Sequence, residues 1–206
     1  EGWHLTISSF PGCPPADVAF VGFDALWGPV DYERCRNWAS ALSEELVADP
    51  PDMVITSMAA RQQLVDDGSG RPHDEQFVEA LRGTWGRWIE AGIVVLPIAD
   101  SPLNGDVRDG DCLLLNAQSP VECAIARTTA LPPDPVALAF AETRSGLWPA
   151  DMTSLLCDGA VCFAAVGGEP VFYDADHLSS AYAATLSDRL RITLDEALAA
   201  PSAPRG

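Results

Sequence analysis

The chain has 206 residues, of which 48% are hydrophobic and 20% charged, the range of a folded domain and not of a disordered segment. Thirty acidic and 12 basic side chains give a formal net charge of −18, which argues against a nucleic-acid backbone or an anionic membrane as the main partner. All 12 basic residues are Arg; without Lys, Schiff-base chemistry, a Ser-Lys dyad and a P-loop lysine are excluded.

The apolar stretches, such as residues 92–99, fall well short of the ~20 residues a spanning helix needs, and no signal-peptide pattern opens the sequence. Residues 1–200 therefore read as a single soluble domain, compatible with being part of a larger membrane protein, and 201–206 as a loose tail.

Strand and helix signals alternate along the chain. Residues 5–9 read as a short strand. Tyr32, Cys35, Trp38, Leu42 and Leu46 recur at helical spacing until Asp49-Pro-Pro-Asp52 interrupts them. Residues 53–58 (MVITSM) form a continuous apolar run, as in a buried parallel strand. A loop at 67–72 (DGSGRP) precedes a second helical face made of Phe77, Leu81, Trp85, Trp88 and Ile89, with Gly92 placed as its cap.

Residues 93–98 (IVVLPI) give the clearest buried strand. Ser119-Pro120 looks like a cap followed by Pro at the first helical position, opening a helix to about Thr129. Residues 135–143 make another short helix. Residues 163–166 and 171–173 flank Gly167-Gly168 and suggest a small hairpin. The last helix runs from about Leu178, with Leu178, Tyr182, Leu186, Leu190, Leu194 and Leu198 on one stripe. Such alternation predicts an α/β fold with a mostly parallel sheet, whose ligand site lies beyond the carboxyl ends of the strands. Glu1-Gly2 reads as the end of a helix, so an upstream strand and helix are expected before it.

The six cysteines fit neither zinc knuckles nor a redox CxxC pair. Each adjoins a turn signal, as in Pro-Gly-Cys13-Pro-Pro and Cys157-Asp-Gly-Ala-Val-Cys162. Sequence proximity pairs Cys13–Cys35, Cys112–Cys123 and Cys157–Cys162, which places the chain in an oxidising compartment. The alternative is six buried thiols in a cytosolic protein.

Three histidines are present. His4 sits beside a strand start and His73 in a polar loop, and both read as structural or solvated. His177 follows Asp174 by three residues in Tyr173-Asp-Ala-Asp-His177, at a strand-to-helix junction. A carboxylate there can accept the imidazole Nδ1–H and leave the other nitrogen to take a proton from a nucleophile. Two other readings exist: an Asp-rich helix start in which Asp174 or Asp176 caps, and a weaker metal site of both aspartates with His177.

These residues carry a resemblance. The segment Cys157-x4-Cys162, Val166-Gly-Gly and Val171-Phe-Tyr-Asp174-Ala-Asp-His177-Leu-Ser179 resembles the end of the SGNH domains fused to acyltransferase-3 membrane proteins. Gly12-Cys13-Pro-Pro15, Cys35-Arg-Asn-Trp38, residues 52–57 and residues 93–96 match upstream in order, and the family's cysteines are the ones paired above by proximity.

The resemblance implies a three-layer α/β sandwich of SGNH-hydrolase type and a Ser-Asp-His triad, with Asp174 as acid and His177 as base. It implies O-acylation, usually O-acetylation, of an extracytoplasmic glycan. The membrane domain is the acyl donor, and no cofactor or metal is called for. It also implies an oxyanion-hole donor in the loop after residues 53–58, where Ser57 and Arg61 are candidates by position.

The family's nucleophile lies in a Gly-Asp-Ser motif, which this sequence lacks: its Gly-Asp pairs at 105–106 and 110–111 run on into Val107 and Cys112. The serine is expected upstream of Glu1, and the domain is expected to be tethered outside the cytoplasm by a membrane segment. The other class of function is a catalytically inactive glycan- or partner-binding module on the same fold. Trp27, Trp85, Trp88 and Trp148 could stack on sugars, though Trp85 and Trp88 belong to a buried helix face. The acidic charge points to a neutral or weakly charged sugar acceptor.

Overall fold

The computed structural model describes residues 2–20, 32–65, 68–142 and 144–199. In chain order its elements are α1 (Tyr32–Ala48), β1 (Met53–Thr56), α2 (His73–Glu90), β2 (Val94–Pro97), α3 (Cys112–Leu115), a 3₁₀ turn (Pro120–Cys123) and β3 (Ile125–Ala126). Then come α4 (Arg127–Ala130), α5 (Pro135–Phe140), α6 (Thr153–Leu156), β4 (Val161–Cys162), β5 (Ala165–Val166), β6 (Glu169–Pro170), α7 (Ser180–Thr185) and α8 (Ser187–Ala199).

β1 and β2 pair in parallel, Val54 opposite Val95 and Ile55 opposite Leu96. Parallel bridges from Val95 to Leu147 and from Ile98 to Ala150 extend this sheet on the far side of β2. The alternation of a strand sorts neighbouring residues to opposite faces. Val95 joins one apolar cluster with Phe77, Leu81, Trp85, Trp88 and Val136. Leu96 joins a second cluster with Ala150, Leu156, Val171 and Tyr182. The expected mostly parallel sheet is thus seen in reduced form: among the described residues it has two strands, and β3–β4 and β5–β6 are separate antiparallel pairs.

α2 supplies much of the first cluster. Phe77, Leu81, Trp85, Trp88 and Ile89 are all buried, so the two tryptophans pack inward and are not sugar platforms. Trp88 donates from Nε1 to Ser43 Oγ at 2.8 Å. On α1 the buried positions among the described side chains are Cys35, Ala39 and Ser43, small side chains one turn apart, with Trp38, Leu42 and Leu46 half-buried around them. α2 ends as expected at Gly92, whose φ is +88°. Gly92 N–H donates to Ile89 O and Ile93 N–H to Trp88 O, a Schellman closure that turns the chain straight into β2.

The disulfides are Cys13–Cys35, Cys112–Cys123 and Cys157–Cys162, the pairing expected from proximity.

Several expected elements differ. Residues 5–9 form no strand: Leu5 and Ile7 are 77% and 80% exposed, and the segment pairs with no described strand. The helix expected from Ser119 to about Thr129 is only the 3₁₀ turn, then β3 and α4. Ser119 makes no capping bond, Cys123 is bridged to Cys112, and Ile125 and Ala126 pair with Cys162 and Val161, which requires extended backbone.

The Gly167-Gly168 hairpin is present, but its strands are 165–166 and 169–170. Phe172 bridges Leu178 instead. α5 stops at Phe140. The last helix starts at Ser180 and is divided at Leu186, so Leu186, Leu190 and Leu194 are only partly buried, while Leu198 is exposed. Glu1, Trp27, Thr143 and the tail 201–206 lie outside the described residues, and with them the expected helix end at Glu1-Gly2.

Candidate active site

Val171 belongs to the second apolar cluster, and Phe172 and Leu178 pack against it. Tyr173 N–H donates to His177 O at 2.8 Å and Ser179 N–H to Val171 O at 2.9 Å. These bonds close a tight loop with Asp174-Ala-Asp-His177 at its tip.

The Asp174 carboxylate organises the loop from inside. Its Oδ1 accepts the N–H groups of Asp176 (3.1 Å) and His177 (2.8 Å). The His177 ring Nδ1 lies 3.0 Å from Oδ1 and 2.9 Å from Oδ2. Asp176 Oδ1 lies 3.2 Å from the same nitrogen. The backbone N–H groups of His177 and Asp176, then the imidazole, hold the Asp174 carboxyl down at about 2, against an ordinary 3.8. In turn the hydrogen bond and charge of Asp174, then the charge of Asp176, raise the His177 imidazole above its ordinary 6.5.

The His177 side chain is 77% exposed. With Nδ1 directed at a carboxylate, neutral His177 is set as the Nδ1–H tautomer, and Nε2 is left as a proton acceptor open to solvent. The helix-capping alternative does not describe the loop, because the cap of α7 is Ser179. Its Oγ accepts Tyr182 N–H at 3.1 Å and donates to Pro170 O at 2.6 Å. Asp174, Asp176 and His177 place three possible ligand atoms within 4.8 Å of one another. All three are exposed, as surface acidic groups commonly are, and Nδ1 is engaged by Asp174.

The loop is held against the segment that leaves β2. Gly105 N–H donates to Ala175 O at 2.6 Å, and Asn104 Nδ2 donates to Asp174 O at 2.7 Å. A Cβ at position 105 would lie 2.4 Å from Ala175 Cβ and 2.8 Å from its Cα, so only glycine allows this approach. The dyad loop therefore rests on residues 104–105, in the loop that follows β2.

Ser57 and Arg61, the oxyanion candidates, follow β1. Ser57 is exposed. Arg61 is committed elsewhere: its Nη1 donates to Ser101 O at 2.9 Å and pairs with Asp100 Oδ2 at 3.3 Å. Neither is joined by a hydrogen bond or ion pair to Asp174 or His177 in this structure. Asp100 also accepts the N–H groups of Ala60 (2.9 Å) and Ser101 (2.8 Å), so it ties the loop after β1 to the loop after β2. Burial pushes the Asp100 carboxyl up, while the Ala60 N–H and Arg61 oppose the rise. Asp134, which caps α5 through Val136 N–H, accepts Asp100 N–H at 3.0 Å.

No motif in the sequence points to a role for Asp100, Asp134, Asn104 or Gly105 at this site. The Asp-Pro step at 134–135 carried a capping signal for Asp134. The contacts of Asn104 and Gly105 with residues 174 and 175 carried none.

The sequence matches the family model of the SGNH domain (fused to AT3 domains) over residues 1–191. No curated protein matches it. Among solved structures it is similar to the periplasmic domain of the lipopolysaccharide acetyltransferase of Salmonella ser. Paratyphi A. The TM-score is 0.58 at 16% identity, over 89% of this chain and 69% of that one, a likeness of fold. With the family model spanning residues 1–191, the chain belongs to the SGNH domains of the kind fused to AT3 domains.

Proposed function

We propose that this domain passes an acyl group, acetyl in the first instance, to a hydroxyl of a cell-envelope glycan on the extracytoplasmic side. The carrying observation is the Asp174–His177 pair, hydrogen-bonded and solvent-facing. Family membership supports an acyl-transfer role. The periplasmic lipopolysaccharide acetyltransferase domain with a similar fold supports the compartment and the acceptor class. Three disulfides fit an oxidising compartment. Among the described residues no helix is long and apolar enough to cross a membrane, so the membrane partner in this reading is an AT3 domain elsewhere in the protein.

The nucleophile in this reading is a serine on a strand preceding Glu1. His177 Nε2 takes the serine proton as Oγ attacks the acyl carbonyl, and returns it to the departing group of the donor. In the second half-reaction Nε2 takes the proton of the sugar hydroxyl as that oxygen attacks the acyl-serine, and returns it to serine Oγ. Asp174 holds the ring tautomer and faces the imidazolium formed in each half.

The test uses the full-length protein in membranes, with a labelled acyl donor and envelope glycan. His177→Ala is expected to abolish label transfer. Transfer retained by His177→Ala, or a full-length sequence with no Gly-Asp-Ser, overturns the reading in favour of a binding module.

A further inference from the structure

Asn104 is joined to two parts of the molecule. Its Nδ2 donates to Asp174 O, the backbone carbonyl of the residue that orients His177. Its Oδ1 accepts from Arg108 Nη1. A side-chain amide has a donor end and an acceptor end, and nothing in its shape selects between two orientations differing by a half-turn. Arg108 has only donors, so it fixes Oδ1 on its own side and leaves Nδ2 facing Asp174 O.

Arg108 is itself fixed at several points. The 104–108 turn is closed by Arg108 N–H to Asn104 O at 2.8 Å. The guanidinium donates from Nε to Cys123 O at 2.7 Å and from Nη2 to Cys162 O at 3.2 Å, and it lies 5.8 Å from the centre of the Phe172 ring. Cys123 and Cys162 each belong to a disulfide, and Phe172 lies two residues before Asp174. A planar fork with donors in fixed directions suits three separate acceptors. The guanidinium thus links two bridged segments to one amide, and that amide links them to the dyad loop.

Building on the reading of Asp174–His177 as the site, we infer that Asn104, with its amide oriented by Arg108, is a positioning residue that sets the tautomer of His177. The loop tip is exposed, so apolar packing does little to aim the Asp174 carboxylate. Its direction rests on backbone hydrogen bonds, and the Asn104 bond grips the carbonyl of Asp174 itself. Without it the 174–177 loop keeps the Gly105–Ala175 bond and the Asp174 Oδ1 bonds to the Asp176 and His177 N–H groups, but the Asp174 backbone gains freedom and the hold of its carboxylate on the ring weakens. Asp174 and Asp176 are the charged groups facing the ring among the described residues.

The experiment is nitrogen-15 NMR of the imidazole in this 206-residue chain, for wild type, Asn104→Ala and Arg108→Met. Melting temperature and free-thiol count serve as controls for folding. Wild-type neutral His177 is expected as the Nδ1–H form. Both variants are expected to move toward the Nε2–H form, with the titration midpoint falling as the hold of Asp174 on the ring weakens. Asn104→Ala leaves the bonds of Arg108 to Cys123 and Cys162 in place, so it decides alone if Arg108→Met does not fold. A folded Asn104→Ala with the wild-type tautomer and midpoint overturns the inference. The measurement involves no acyl transfer, so its failure is separate from failure of the proposed function, which His177→Ala tests in the full-length protein.

Discussion

Asp174 holds His177 at two points: its Oδ1 accepts the His177 backbone N–H at 2.8 Å, and its Oδ2 lies 2.9 Å from the ring Nδ1. One carboxylate therefore fixes both where the histidine starts and where its ring points. The two grips respond to pH at different ends of the scale.

The Asp174 carboxyl is depressed to about 2 in the folded chain, so its hold on the loop is complete above its ordinary 3.8 and is lost as pH falls toward 2. The His177 imidazole is raised, so the charged pair contributes fully below 6.5 and fades as pH rises through the higher folded midpoint. Nε2 can accept a proton only above that midpoint. An NMR titration is expected to place His177 above 6.5, with Asp174→Asn lowering it. In the full-length protein, acyl transfer is expected to rise with pH through the same midpoint. A wild-type midpoint at or below 6.5 contradicts this picture.

Residues 1–206 alone are expected to show little or no turnover of an activated ester, because no Gly-Asp-Ser is present. In the full-length protein, Asp174→Asn is expected to reduce kcat by up to about 10⁴-fold while preserving the fold, the loss seen when a complete triad loses its carboxylate. Circular dichroism and label transfer on the same preparations measure both.

Gly105→Ala forces a methyl into Ala175. The expected cost is about 1–3 kcal/mol of overpacking, or a displaced 174–177 loop with an altered His177 spectrum. A variant that matches wild type in both melting and spectrum would show that the two segments are not in contact.

How far the sequence could be read depended on the range of the forces involved. Phe77, Leu81, Trp85 and Trp88 declare their helix because burial recurs with helical spacing, and Gly92 declares its end because the closing backbone needs a positive φ. Asp174 and His177 are three residues apart, so their hydrogen bond is a local fact. Asn104 and Asp174 are 70 residues apart, and no pattern in either segment names the other. The Ser119-Pro120 start was a sound local signal, but it was overruled by the Cys112–Cys123 bridge and the pairing of β3 with β4. Residues 5–9 alternate like a strand, but alternation yields a strand only where a neighbour supplies hydrogen bonds, and no described strand does so.

Ser43→Ala leaves the buried Trp88 Nε1 without its acceptor. The expected destabilisation is about 1–3 kcal/mol, the cost of an unsatisfied buried donor. Ser43→Thr, which keeps the hydroxyl, is expected to lose less in urea melts.

Thiol titration of unreduced, unfolded protein is expected to find no free cysteine. Replacing Cys157 and Cys162 together with Ser is expected to cost about 2–4 kcal/mol. Two or more reactive thiols in protein from an oxidising host would contradict the observed pairing.

The three bridges neither cross nor nest: each joins a cysteine to the next cysteine in the chain. A chain emerging from its amino end into an oxidising space presents Cys13 and Cys35 before Cys112, and Cys112 and Cys123 before Cys157. If each thiol reacts with the first free thiol to follow it, the native set forms in order of emergence, and reshuffling of wrong pairs is not required for this domain to mature.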